Sequence, residues 1–294
     1  MGEHVNFRLD FAPHIGFPTP DTPLFGALVG DSSPEAQIAF AAAQGFRRVQ
    51  DPFVAQRSEE AQRRIAEAAA AAGLALGCFV YAPMERASRP QWCAVDVASR
   101  AALDADVANA IAIGRRIGSR HIAVLTGADP ERTAVEQRQA MATNLARLGD
   151  RVADAGMMLC VEAVNAQRLP HMLLHHFAAA IEVVRGAGHP AVRLIFDTAH
   201  LQAMDGDILG NMDAAWDLIE VIQLADHPGR VEPGAGELNF VRIITEIERR
   251  GFTGPVELEH DWSSRGATPQ QTYLHWLGRW ARSNERNADG DVGT

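Results

Sequence analysis

Short runs rich in Val, Ile, Leu and Phe alternate with longer stretches of helical period along the chain, and this rhythm constrains the fold more than any other feature. The apolar runs fall at 5–9, 47–50, 75–80, 121–125, 158–161, 192–196, 221–224 and 255–258. Helices are expected at 34–44, 59–72, 97–117, 133–155, 173–186, 208–219 and 240–250, with a last one at 269–281. Boundary signals agree: Ser33 precedes Pro34 and Glu35, Ser58 precedes Glu59 and Glu60, and Gly45 and Gly73 follow the two helices. Runs apolar on both faces suit a parallel sheet whose crossovers are the helices. Eight alternations in 294 residues give roughly 37 residues each, the size of a βα unit. An open doubly wound sheet would show the same alternation, but its nucleotide-binding form carries a Gly-rich turn after the first strand. Here Gly186-Ala187-Gly188 follows a helix and Gly234-Ala235-Gly236 lies in a loop. The expected fold is α/β, a single (β/α)8 TIM barrel over residues 1–282, with a polar, disordered tail at 283–294.

Composition removes other classes. With 47% hydrophobic and 22% charged residues the chain can bury a core without disulfides. Cys78, Cys93 and Cys160 form no CxxC pair, so buried thiols and a reduced, cytoplasmic compartment are expected. No run reaches the ~18 apolar residues of a membrane span, and the first residues lack a signal peptide's basic flank. A net charge of −10 argues against nucleic acid as a partner, and arginine pairs such as Arg63-Arg64 and Arg115-Arg116 read as solvated helix faces. A small molecule is the expected partner.

In a parallel barrel the residues just past each strand's C-terminal end converge on one mouth. Strand five ends in Cys160-Val161-Glu162, strand six in Ile195-Phe196-Asp197, strand seven in Val221-Ile222-Gln223 and strand eight in Glu257-Leu258-Glu259. The intervals between these polar residues each fit one βα unit. Three carboxylates in one mouth repel, which raises a pKa or calls for a cation. An all-oxygen set favours Mg²⁺ or Mn²⁺.

Several segments carry a resemblance: Val161-Glu162-Ala163-Val164-Asn165, Phe196-Asp197-Thr198-Ala199-His200, Gln223 through Arg230, Glu232 through Phe240, and Glu257-Leu258-Glu259. Together they resemble the hydroxypyruvate isomerase family, within the xylose-isomerase-like superfamily of TIM barrels. The resemblance is dense over residues 155–262 and architectural before that. It implies Glu162, Asp197, Gln223 and Glu259 as metal ligands, Glu162 and Glu259 as the acid/base pair, and substrate contacts from His200 and Arg230, with His227 and Asn165 beside them. It also implies proton transfer in an α-hydroxy carbonyl compound through an enediolate, interconverting hydroxypyruvate with tartronate semialdehyde, or a 2-oxo-tetronate with its isomer. A ketose 3-epimerase, a keto-polyol dehydratase and a non-catalytic metal-binding barrel are the alternatives. Relatives of this kind form dimers or tetramers, so a homo-oligomer is allowed. Three positions depart from the family's pattern: Gln50-Asp51 where strand two usually ends in Glu, Asp261 in place of a Lys, and Gln167-Arg168-Leu169-Pro170 in place of Arg-Asp-Ile-Pro. The metal set is thus expected intact and the substrate pocket altered.

Other candidates are plainer. His171 and His175 could share a helix face without forming a metalloprotease motif. His14 is a candidate pocket residue, Trp92 and Phe53 candidate apolar walls, and Asn165 and Glu237 candidate orienting groups. Residues 81–96 and 226–239 are long connections that could cover the mouth.

Overall fold

The computed structural model of the protein describes residues 7–280. The expected tail, residues 1–6 with His4, and the first part of the first expected strand lie outside them. Among the described residues the strands are β1 (Asp10–Pro13), β2 (Arg48–Val49), β3 (Ala75–Leu76), β4 (Phe79–Val80), β5 (His121–Val124), β6 (Met158–Val161), β7 (Val192–Asp197), β8 (Ile219–Leu224) and β9 (Pro255–Leu258). Every pairing between them is parallel. Seven form one sheet in the order β1-β9-β8-β7-β6-β5-β4, and β2 pairs with β3.

The two sheets are parts of one barrel. β3 and β4 belong to a single run interrupted at Gly77 and Cys78, and β2 joins β1 through hydrogen bonds from Gln50 N–H to Pro13 O and from Ile15 N–H to Gln50 O. The eight alternations therefore close into a (β/α)8 barrel. Around it lie α1 (Gly26–Val29), α2 (Pro34–Ala43), α3 (Glu59–Ala71), α4 (Met84–Ala87), α5 (Val97–Ile117), α6 (Ala134–Asp154), α7 (Phe177–Ala187), α8 (Thr198–Met204), α9 (Ile208–Ala215), α10 (Phe240–Arg249) and α11 (Ala267–Leu277). Ser33 and Ser58 cap α2 and α3 as expected, and Thr133 and Glu136 form a full capping box on α6. No helix among the described residues is long and apolar enough to cross a membrane.

The first strand is displaced from the expected 5–9. Phe7 and Leu9 are buried, Phe7 stacking on Phe46 at 5.0 Å and meeting Phe11 edge-on at 5.5 Å, but Phe7 forms only an isolated bridge and residues 8–9 are a bend. β1 instead begins at Asp10, whose charge is met by Arg48 at 2.9 Å, and ends at Pro13. Short apolar turns escaped the periodic reading: α1, α4 and α8 are four to seven residues long. Residues 173–176, expected to begin a helix, are bends and irregular backbone, and Met172 forms an isolated bridge with Gly127, so His171 and His175 share no helix face. His175 Nδ1–H donates to Val164 O at 2.7 Å.

The seam between β1 and β9 is tied by a buried histidine. His14 Nε2–H donates to His260 O at 2.9 Å, and burial lowers its pKa from 6.5 to about 4. The folded state thus holds His14 neutral where the unfolded chain protonates it, so stability is full above pH ~6.5 and falls as pH drops towards 4. His14→Gln keeps a donor to His260 O without a titrating ring. It should flatten the fall in thermal midpoint between pH 6.5 and 4 relative to the parent, and an unchanged slope would refute this assignment.

Candidate active site

The chemistry-bearing side chains sit at the exits of β6 to β9. Glu162 follows β6, and Asp197 ends β7 while capping α8, its Oδ1 accepting from His200 N–H at 2.9 Å. That short helix places His200 one turn beyond Asp197. The ring is fixed by Asn165, whose Nδ2–H donates to Nδ1 at 2.8 Å and whose backbone N–H approaches at 3.3 Å, while Asn165 Oδ1 accepts from Arg168 N–H. The ring's other nitrogen, Nε2, lies 3.6 Å from Glu162 Oε1. Burial lowers His200 to about 3, so the ring is neutral.

Arg230 enters from the loop after β8. Asp226, fully buried, organises this loop: Oδ1 accepts from the backbone N–H of His227 and Leu238, and Oδ2 from Gly234 and Gly236, all at 2.8–3.0 Å. The loop holds Arg230 at φ 55°, a conformation uncommon for a residue with a Cβ. Its Nη2 lies 2.8 Å from Asp197 Oδ2 and 2.7 Å from Glu259 Oε1, and its guanidinium covers the Phe17 ring at 5.1 Å. Nη1 lies 3.0 Å from His200 Nε2, within hydrogen-bond distance.

Below these groups lies a carboxylate that the strand-end reading assigned no role. Glu257, fully buried inside the barrel, accepts from Cys78 N–H at 2.5 Å and from Nε2 of both Gln50 and Gln223, at 2.8 and 3.0 Å. The same two amides reach Glu259 Oε2 at 2.6 and 2.8 Å. Burial, then the charge of Glu259, pushes Glu257 up to about 8. Burial also raises Glu162 well above the ordinary carboxylate range, with Glu259 and Asp197 adding to it, and raises Glu259 against the opposing pull of Arg230. Burial acts upward on Asp197 too, but Arg230 and His200 outweigh it and hold its carboxyl low.

A cavity of about 290 Å³ opens over this floor. Glu162, His200, Gln223, Arg230 and Glu259 all line it, together with Gln50, Arg168 and Phe53. Asp197 lies behind Arg230. Asn165 acts on His200 rather than facing the cavity, His227 is half-buried outside the lining, and Glu237 instead accepts from Gln202 at the surface. His14 lies beneath Phe17, and Trp92 is fully buried against Tyr81, so neither is a wall. Of the two long connections, residues 81–96 contribute Met84 to the lining and residues 226–239 contribute Arg230.

The donor set fits a divalent cation. An oxygen each of Glu162 and Asp197 and a nitrogen of His200 lie within 4.8 Å of one another. Asp197 Oδ2 and Gln223 Oε1 are buried without a hydrogen-bond partner, Arg230 approaching the former off the bonding direction. Glu162, Asp197 and Glu259 against Arg230 leave a formal charge of −2, a deficit that a divalent ion would meet.

The fold and this mouth define a class, TIM barrels with a cluster of buried acids at the strand ends. The profile of the xylose isomerase-like TIM barrel family matches residues 38–282, and the chain belongs to that family. Among curated relatives it is 28% identical over 172 residues to hydroxypyruvate isomerase of Escherichia coli, covering 58% of this chain and 65% of that protein. It is 27% identical over 227 residues to 2-oxo-tetronate isomerase of Cupriavidus necator, covering 76% and 85%. Its fold is similar to a solved structure titled AP endonuclease, family 2, from Brucella melitensis, with TM-score 0.77, 20% identity and coverage of 93% and 100%.

The carboxylate beneath the floor makes Gly77 obligatory: a Cβ there would come within 2.5 Å of Glu257 Oε1 and 3.3 Å of Gln50 Cβ. Gly77→Ala should cost about 1–3 kcal/mol in denaturant unfolding through this overpacking, and the paired Gly77→Ala/Glu257→Gly should recover part of the loss. Full additivity of the two changes would show that the contact does not matter.

Proposed function

We propose that this chain is a divalent-metal-dependent isomerase that moves a carbonyl between adjacent carbons of a short hydroxy-keto acid. The observation that carries the reading is the arrangement of Glu162 and Glu259 on one cavity, with His200 and Arg230 between them. The names of the curated relatives point to the same reaction class. Glu162, Asp197, Gln223 and Glu259 would hold the cation, Mg²⁺ or Mn²⁺ by the preponderance of oxygen donors. Such an ion would supply Lewis-acid polarisation of the substrate's carbonyl and hydroxyl oxygens.

The chain's own residues supply the rest. A C–H beside a ketone is a weak acid, and removing its proton leaves charge on oxygen. One of the two glutamates takes that proton from the hydroxyl-bearing carbon, and a glutamate returns one to the former carbonyl carbon. Arg230 presents a charged fork to the substrate carboxylate, and neutral His200 stands beside it as a hydrogen-bonding partner for a substrate oxygen. Asn165 holds that ring in place.

Turnover of hydroxypyruvate and 2-oxo-tetronate, followed by product analysis with added Mn²⁺, tests the reading. Glu162→Gln and Glu259→Gln should each lower kcat/KM by about 10²–10⁴. Unimpaired turnover by both variants would refute the acid/base assignment, and inversion at a single stereocentre would move the reading to a ketose epimerase. A calorimetric titration without substrate tests the metal set separately. Asp197→Asn and Glu162→Gln should each weaken Mn²⁺ binding at least tenfold, and parent-like affinity in both would overturn it.

A further inference from the structure

The two sides of the cavity differ in kind. From β6 round to β9 it is lined by Glu162, His200, Gln223, Arg230 and Glu259, with Val164, Arg168 and Leu169 from the loop after β6. From the β1 loop round to β5 it is lined by Phe17, Pro52, Phe53, Phe79, Met84 and Leu125. Phe17 and Phe53 stack at 6.1 Å with an interplanar angle of 15°, making an aromatic wall. That wall is fixed by Arg57, which donates to Asp51 and to Pro20 O at 2.6 Å each and so ties the β1 loop to the β2 loop. On the apolar side only Gln50 and Cys78 carry polar side-chain atoms, and both sit at the floor. The Gln50 NH₂ is committed to Glu257 and Glu259, leaving its Oε1 as a single acceptor. At about 30 Å³ per water, 290 Å³ holds roughly ten waters, more room than a three-carbon acid fills.

Resting on the isomerase reading above, we propose that the substrate is a 3-hydroxy-2-oxo acid whose third carbon carries an alkyl or aryl group in place of a hydrogen or a hydroxymethyl group. The polar head occupies the floor and the apolar substituent lies along Phe17 and Phe53. A polyol tail would turn hydroxyls towards walls whose one polar side chain above the floor is Arg168, already laid against the Phe17 ring at 5.3 Å. The reaction balances internally: the proton on the third carbon leaves, the second carbon gains one, and the hydroxyl proton passes between the two oxygens, so substrate and product are isomers and no oxidant is required.

Two measurements on the Mn²⁺-loaded full-length protein test this. The first compares kcat/KM for 3-hydroxy-2-oxo-4-phenylbutanoate with that for 2-oxo-tetronate. The phenyl substrate should be favoured about 10- to 100-fold, and Phe53→Ser should raise KM for it by a larger factor than KM for the tetronate. Equal or better turnover of the tetronate overturns the proposal and leaves the isomerase reading standing. The second measures calorimetric binding of 3-phenyllactate and glycerate, which carry the same hydroxy-acid head and cannot enolise through a ketone. Phenyllactate should bind at least tenfold tighter. That preference without turnover of either substrate would defeat the isomerase reading alone, whereas no preference would defeat the apolar tail.

Discussion

Glu162, Asp197, Glu257 and Glu259 are packed into one buried barrel mouth, where a low dielectric magnifies their mutual repulsion. Much of the local architecture follows from accommodating them. Arg230 touches two of the four, and the Gln50 and Gln223 amides bridge another pairing. A strand is interrupted at Gly77 and Cys78 so that Glu257 can meet a backbone N–H without colliding with a Cβ. Asp226 is a fifth buried acid serving the same end from further off: its four backbone hydrogen bonds shape the loop that delivers Arg230. Removing one partner from such a network leaves an uncompensated buried charge, which costs more than the pair contributes.

The barrel also explains why the charges gather on one side. β6 to β9 are contiguous in the sheet, and β7 and β8 pair with Asp197 opposite Gln223 while β8 and β9 place Gln223 opposite Glu257. Residues in register at adjacent strand ends share a height, so these side chains meet without help from long loops. The remaining half of the ring is short-stranded and seamed by His14, Gln50 and Pro13, and its loops carry rings and prolines. Polar catalytic machinery faces an apolar wall because the two halves of one barrel are built differently.

Much of this was legible in the sequence. A carboxylate or amide that interrupts an apolar run at the right interval marks a strand's C-terminal end, which is why Glu162, Asp197, Gln223 and Glu259 could be placed on one mouth. The helices α2, α3, α5 and α6 were equally plain from caps and period. Glu257 was not, because its significance lies in Gly77, Cys78 and Gln50, about 180–207 residues away in the chain, and no local pattern reports such a contact. His171 with His175 failed for the opposite reason: their spacing suits a helix, but Leu169-Pro170 precedes them and the chain turns there. β1 was misplaced because Asp and Pro read as strand breakers when the Arg48 that neutralises Asp10 cannot be seen beside it.

Amides stand at positions 50 and 223 for a reason the geometry makes specific. Each NH₂ presents two N–H bonds, and each spends them on Glu257 Oε2 and Glu259 Oε2, bridging two buried carboxyl groups without adding a third. A glutamate at position 50, the residue the resemblance leads one to expect at the end of strand two, would put a third buried carboxyl group where two already face each other. A histidine at 223 would offer one N–H to a single carboxylate. With Glu257 rising from β9 into the barrel interior, the neighbouring strands are left needing donors rather than acids. Gln50 and Glu257 are therefore best understood together, as donor and acceptor of one buried contact beneath the strand-end carboxylates.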